Sequence, residues 1–136
     1  MGVMARDPTG KELRRILYVE DEEDIRMVGE MSLVDVGGFE VRTCASGPEA
    51  IAAAAAFAPD LILLDVMMPG MDGPSVLRWL RAVPALAAVP AIFMTAKIMA
   101  AEIAELKAAG ALDVVPKPFD PMTLPDEIRA IWSRAG

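Results

Sequence analysis

The sequence predicts a three-layer α/β sandwich built on a parallel five-stranded sheet. Three observations carry that expectation. Short apolar runs alternate along the chain with segments of helical character. Three of the runs are continuously apolar, as strands buried on both faces of a parallel sheet must be. Strict strand–helix alternation then places helices on both faces of the sheet.

The elements follow in chain order. Residues 1–14 are polar and carry Gly2, Pro8 and Gly10, which predicts a mobile lead-in before a single domain over 15–136. Strands are expected at 16–20, 40–44, 61–65, 91–95 and 113–115. In the first helix, Ile25, Val28, Leu33 and Val36 share one face, ended by Gly37-Gly38. Ser46 is placed to cap a helix over 48–57, which is rich in strong helix formers. Residues 74–82 turn Val76, Leu77 and Leu80 towards the core. A fourth helix runs over 99–109 and stops at Gly110. The last helix points Leu124, Ile128 and Ile131 inward. Its start is either a capping box at Thr123-x-x-Asp126, with Pro125 in the first turn, or Pro121 behind Asp120.

Composition narrows the function. The chain has 136 residues, enough for one domain, and a net charge of −7. That acidity argues against nucleic acid as a partner. Hydrophobic residues make up 54%, which argues against disorder even though Ala inflates the figure. No apolar run approaches the ~20 residues that span a bilayer, and no signal peptide is visible. One Cys excludes an internal disulfide framework and suits the cytoplasm. Cys44 reads as a buried small residue. There is no His. His-based nucleophilic sites, His-ligated zinc and a phosphohistidine on this chain are thereby excluded.

In parallel sheets, sites form at the carboxyl ends of the strands. There the sequence places Glu20 and Asp21, then Asp65, Thr95 and Lys117. Clustered carboxylates repel unless a cation lies between them, and Mg²⁺ takes such oxygens. Asp21 and Asp65 are candidate ligands, with the Met67 backbone carbonyl as a third and Glu20 acting through a water. Asp65 is also a candidate nucleophile towards phosphorus. Lys117 would supply fixed positive charge, and Thr95 a hydroxyl donor. Glu22, Glu23 and Asp24 read mainly as favourable charge at a helix start. Asp72 reads as a helix cap, and Met67, Met68 and Met71 as packing.

These residues carry a family resemblance. The chain resembles the receiver domain of two-component response regulators (CheY-like, flavodoxin-like) over about residues 15–134. The matching segments are Ile16-Leu17-Tyr18-Val19-Glu20-Asp21-Glu22, Asp60-Leu61-Ile62-Leu63-Leu64-Asp65, Met68-Pro69-Gly70-Met71-Asp72-Gly73, Thr95-Ala96 and Lys117-Pro118-Phe119. The resemblance implies strand order 2-1-3-4-5 and a cis Lys117–Pro118 bond. It makes Asp65 the phosphoacceptor, Glu20 and Asp21 the acidic pair, Thr95 the switch hydroxyl and Lys117 the phosphate-contacting lysine. It implies Mg²⁺ as cofactor and a histidine kinase or phosphotransfer protein as donor. A downstream protein target is expected, with no membrane or nucleic-acid partner, for a stand-alone receiver that is a monomer or weak dimer. Such a domain catalyses only its own phosphorylation and dephosphorylation.

Four further expectations follow. Met67 and Lys97 occupy positions that in the family tune hydrolysis, and the apolar Met67 predicts a long-lived phosphoryl group. Val114 stands where the family usually has Tyr or Phe, which puts the usual switch coupling in doubt. Pro116 stiffens that strand end. The family's common partner surface corresponds to Met99, Glu102, Val114, Arg129 and Trp132, with Trp132 either an anchor or packing. The competing readings are a vestigial receiver that binds partners without phosphorylation, and a Mg²⁺-dependent phosphohydrolase.

Overall fold

The computed structural model describes residues 5–134. Five parallel strands form one sheet in the order β2-β1-β3-β4-β5. They are β1 (Arg15–Val19), β2 (Glu40–Cys44), β3 (Leu61–Asp65), β4 (Ala91–Thr95) and β5 (Asp113–Pro116). The helices are α1 (Glu23–Met31), α2 (Gly47–Phe57), α3 (Gly73–Arg81), α4 (Ala100–Ala108) and α5 (Leu124–Arg134). The fold class, the strand order and the cis Lys117–Pro118 bond agree with expectation. No described helix is long and apolar enough to cross a membrane.

Alternation along the strands divides the core into two layers. Ile16 and Tyr18 face the layer shared with Leu124, Ile128 and Trp132. Leu17 and Val19 face the opposite layer, filled by Ala50, Ala54, Leu77 and Leu80. β3 and β4 are buried at every position, which is why their sequences read as unbroken apolar runs.

Several local signals act as expected. The Ser46 side chain accepts from the Glu49 N–H at 3.2 Å. Asp72 accepts from the Ser75 N–H at 2.9 Å and caps α3. Cys44 is buried. α5 begins at Leu124, directly after Thr123, and in the turn before it the Asp120 side chain accepts from the Met122 N–H at 2.9 Å. The Asp120 carbonyl takes the Leu124 N–H. Thr123 instead points its hydroxyl back to the Asp120 carbonyl.

Three places differ from expectation. First, α1 does not keep one helical phase to Gly37. A π-helical segment, Ser32–Val36, follows it, and the Gly37 N–H reaches the Ser32 carbonyl. Gly29, Ser32 and Leu33 are buried at ordinary helical spacing, which leaves Val28 exposed, and the wider turn that follows leaves Val36 exposed as well. A Cβ on Gly29 would lie 2.5 Å from Tyr18 Cε2, so the close approach of α1 to β1 requires glycine.

Second, the lead-in expected over 1–14 is folded in its described part, while residues 1–4 lie outside the described residues. Arg6 and Glu12 form an antiparallel bridge, and Ala5 and Leu13 are buried with the α5 layer. The Asp7 carboxylate closes the turn by accepting from the Thr9 and Lys11 N–H groups. Third, Trp132 is 1% exposed and donates its indole N–H to the Lys11 carbonyl. It is packing and not an interface anchor. Arg129 lies over the Phe39 ring and donates to the Gly37 carbonyl. The five expected partner-surface residues therefore do not form one exposed patch.

Candidate functional site

The carboxyl ends of β1, β3, β4 and β5 meet at one edge because all four strands are parallel and in register. Asp65 is the last residue of β3, held where the Val66 N–H bonds the Met94 carbonyl. Glu20 follows β1, its N–H bonded to the Cys44 carbonyl. Thr95 ends β4, and its carbonyl takes the Lys117 N–H at 2.9 Å. Gly73 packs α3 directly beneath this edge. A Cβ there would lie 2.5 Å from the Asp65 carbonyl oxygen.

The edge gathers charge out of water. Carboxylate oxygens of Glu20, Asp21 and Asp65 lie within 4.8 Å of one another. Lys117 Nζ donates to Glu20 Oε1 at 2.8 Å and to Asp65 Oδ1 at 3.3 Å. Glu20 is fully buried, and its second oxygen accepts from the Glu22 N–H at 3.1 Å. Both oxygens are therefore satisfied, as a buried charge requires. Asp21 differs: its Oδ1 is buried and has no hydrogen-bond partner.

Electrostatics follow from this crowding. Burial first, and the Glu20 charge second, lift the Asp65 carboxyl to about 7, against the pull of Lys117. For Lys117 burial pushes the ammonium down, but the Glu20 hydrogen bond and the two carboxylates outweigh it and hold it above its usual value. The Tyr18 phenol beneath is pushed up by burial and then by Glu20 and Asp65.

The chain matches the model of the response regulator receiver domain over residues 16–129. It belongs to that family. The receiver is similar to the chemotaxis protein CheY4 of Vibrio cholerae, with a TM-score of 0.81 and 33% identity, covering 88% of this chain and 98% of that one. It is 38% identical over 125 residues to the transcriptional regulatory protein CseB of Streptomyces avermitilis, covering 92% of this chain and 52% of that protein. The response regulator PleD of Caulobacter vibrioides is 38% identical over 118 residues, covering 86% of this chain and 26% of that protein. The receiver thus spans about half the length of CseB and a quarter of PleD. Two-component signalling is the setting of this family.

Receiver domains bind Mg²⁺ at an acidic pocket, and the residues present fit that ion. Three carboxylates share a small volume and one buried oxygen lacks a partner, which is the donor chemistry a hard cation takes. Glu20, Asp21 and Asp65 together form the acidic group that could hold such an ion.

Of the residues singled out in the sequence, Glu20, Asp21, Asp65 and Lys117 form one contact cluster. Thr95 is buried at the adjoining strand end, and its hydroxyl accepts from the Lys97 N–H at 3.1 Å. Met67 follows Asp65 in the next loop and is 62% exposed. Lys97 is exposed, and Val114 packs partly buried against the α2–α3–α4 layer. Sequence reasoning missed Arg26, whose guanidinium donates to the Glu20 carbonyl at 2.9 Å and fixes the acidic loop. A lone cation within an acidic stretch was the available signal.

Proposed function

We propose that this receiver accepts a phosphoryl group on Asp65 and changes its protein contacts as a result. The arrangement of Asp65 carries the reading: a nearly buried carboxylate in contact with a fixed lysine, beside a carboxylate oxygen that lacks a partner. An oxygen of Asp65 attacks phosphorus, and the bond to the donor breaks with its electron pair leaving on the donor. Lys117 sets positive charge against the incoming phosphoryl oxygens. The Thr95 hydroxyl, which accepts from Lys97, keeps its own proton for one of them. Asp21 and Asp65 would hold Mg²⁺, with the Met67 carbonyl and a Glu20-bound water completing the expected set. Bound there, the ion supplies charge neutralisation to the transferring group.

The sequence contains no His, so a phosphohistidine donor lies outside it, on a histidine kinase or phosphotransfer protein. Cys44 is a free buried thiol, which suits a reducing, cytoplasmic setting. Val114 has no ring to follow Thr95, so the output is expected to leave by another element. A protein target is the reading for the output. Some relatives are named as DNA-binding response regulators, MtrA of Mycolicibacterium smegmatis among them.

Intact mass spectrometry after incubation with acetyl phosphate and Mg²⁺ tests the proposal. One added phosphoryl group is expected, absent in Asp65→Ala. No adduct, with acetyl phosphate or with a kinase, would leave a vestigial interaction module as the better reading.

A further inference from the structure

Arg26 lies just past an unbroken run of acids, Glu20 to Asp24, yet its guanidinium bonds main-chain carbonyls. One nitrogen, Nη1, donates to the Glu20 carbonyl at 2.9 Å and to the Asp21 carbonyl at 3.4 Å. Neither carbonyl has another hydrogen bond among the described residues. The two carbonyls belong to the peptide units on either side of the Asp21 Cα. A group that grips both planar units fixes the backbone dihedrals of Asp21, and with them the rotamers open to its side chain. Neighbouring bonds complete the frame: the Glu20 N–H is held by the Cys44 carbonyl, and the Arg26 N–H by the Glu22 carbonyl. The Asp21 carboxylate has less support of its own. Its Oδ1 is buried without a partner, and one of its oxygens lies within 4.8 Å of an oxygen of Glu20 and of Asp65.

We propose that Arg26 is a positioning residue of the Mg²⁺ site, setting the Asp21 backbone so that its carboxylate stays beside those of Glu20 and Asp65. The proposal rests on the acidic cluster taking Mg²⁺ and is independent of which group accepts phosphorus. Two effects of Arg26 on the ion oppose each other. A guanidinium near a divalent cation repels it, so by charge alone the residue weakens binding. By holding Asp21 in place before the ion arrives, it removes an ordering cost that binding would otherwise meet. Fixing the backbone of one residue corresponds to about five- to thirtyfold in affinity. Arg26 is only half-buried, and a partly exposed charge is worth at most about fivefold. Positioning is therefore the larger effect.

Calorimetric titration of the unphosphorylated protein with MgCl₂ separates the two effects by sign. In Arg26→Met, which has neither charge nor donor, the Mg²⁺ dissociation constant is expected to rise about fivefold. Arg26→Lys keeps a charged donor and should recover part of the affinity. If charge were the whole role, Arg26→Met would bind Mg²⁺ more tightly than wild type. A second readout needs no ion. In the metal-free Arg26→Met protein, amide exchange should quicken at Asp21 and Glu22 while the β3 amides keep their protection. Arg26→Gln carries the same comparison if the methionine variant does not fold. Unchanged or tighter Mg²⁺ binding, or exchange that quickens across the whole sheet, overturns the role of Arg26. A wild type that binds no Mg²⁺ overturns the ion's place in the site and this proposal with it, and leaves Asp65 to its own labelling test.

Discussion

Replacing Asp65 with Asn is expected to stabilise the metal-free protein. Burial and the Glu20 charge lift the Asp65 carboxyl from an ordinary 3.8 to about 7. Each pH unit of such a displacement corresponds to about 1.36 kcal/mol, so the charged form costs the fold up to about 4 kcal/mol. Relaxation and water entry reduce this, and a gain of about 2–3 kcal/mol is the working figure for the variant. The sign is fixed by linkage. The folded state binds the Asp65 proton more tightly than the unfolded chain does. Stability from this group is therefore fully present below the usual carboxylate range and is lost as pH rises to about 7. Asp7 and Asp72 are held below their ordinary value, each first by a side-chain hydrogen bond. Their contributions are lost only as the medium becomes more acidic than about pH 4. Lys117 keeps Glu20 at 2.8 Å, so the substitution strands no buried cation. Urea unfolding with a chelator between pH 5 and 8 is the assay. At pH 8 the midpoint of Asp65→Asn should lie about 1–2 M above wild type, and the wild-type decline with pH should flatten. Equal or lower stability at pH 8, with the decline intact, refutes the reasoning.

Added Mg²⁺ should raise the melting temperature of wild type at pH 8, by about 1–3 kcal/mol of linkage at saturating ion. Asp21→Asn should remove most of that rise in the same thermal scan. Gly29→Ala gains about 1 kcal/mol of helix propensity but drives a methyl into the Tyr18 ring. Overpacking of about 1–3 kcal/mol should win, giving a net loss that reverses in a Tyr18→Leu background. Met67→Asn should speed phosphate release from the phosphorylated protein several-fold, because an amide can orient water and a thioether cannot. An unchanged release rate removes that role for position 67.

The sheet was readable because β3 and β4 are buried on both faces and leave no room for polar residues. Their apolar runs had no competing interpretation, and the acidic and basic residues just beyond the strand ends marked one edge. Convergence of Lys117, Glu20 and Asp65 on one edge follows from the topology, whereas the direct contacts of Lys117 with both carboxylates appear only in the structure. The surface was harder. The inward face of α1 is hard to read because Gly29, not a large apolar residue, meets Tyr18, and because the π turn at Ser32–Val36 shifts the phase at Val36 without any sequence mark. Trp132 could be anchor or packing until the Lys11 carbonyl appeared above it. Polar residues 5–14 resembled a loose end because their folding depends on α5, which lies more than a hundred residues away.

That N-terminal turn has a practical consequence for anyone joining this receiver to a foreign output domain. The family match begins at residue 16, and a splice made there would discard Ala5, Leu13 and the carbonyl of Lys11. Asp60 would also lose the Arg14 and Arg15 N–H groups that it now accepts from. Leu13 alone is worth about 1.5–3 kcal/mol of burial, and Trp132 would open to solvent at the seam. The graft point for a soluble chimera therefore lies upstream of Ala5, outside the boundary that similarity alone would draw.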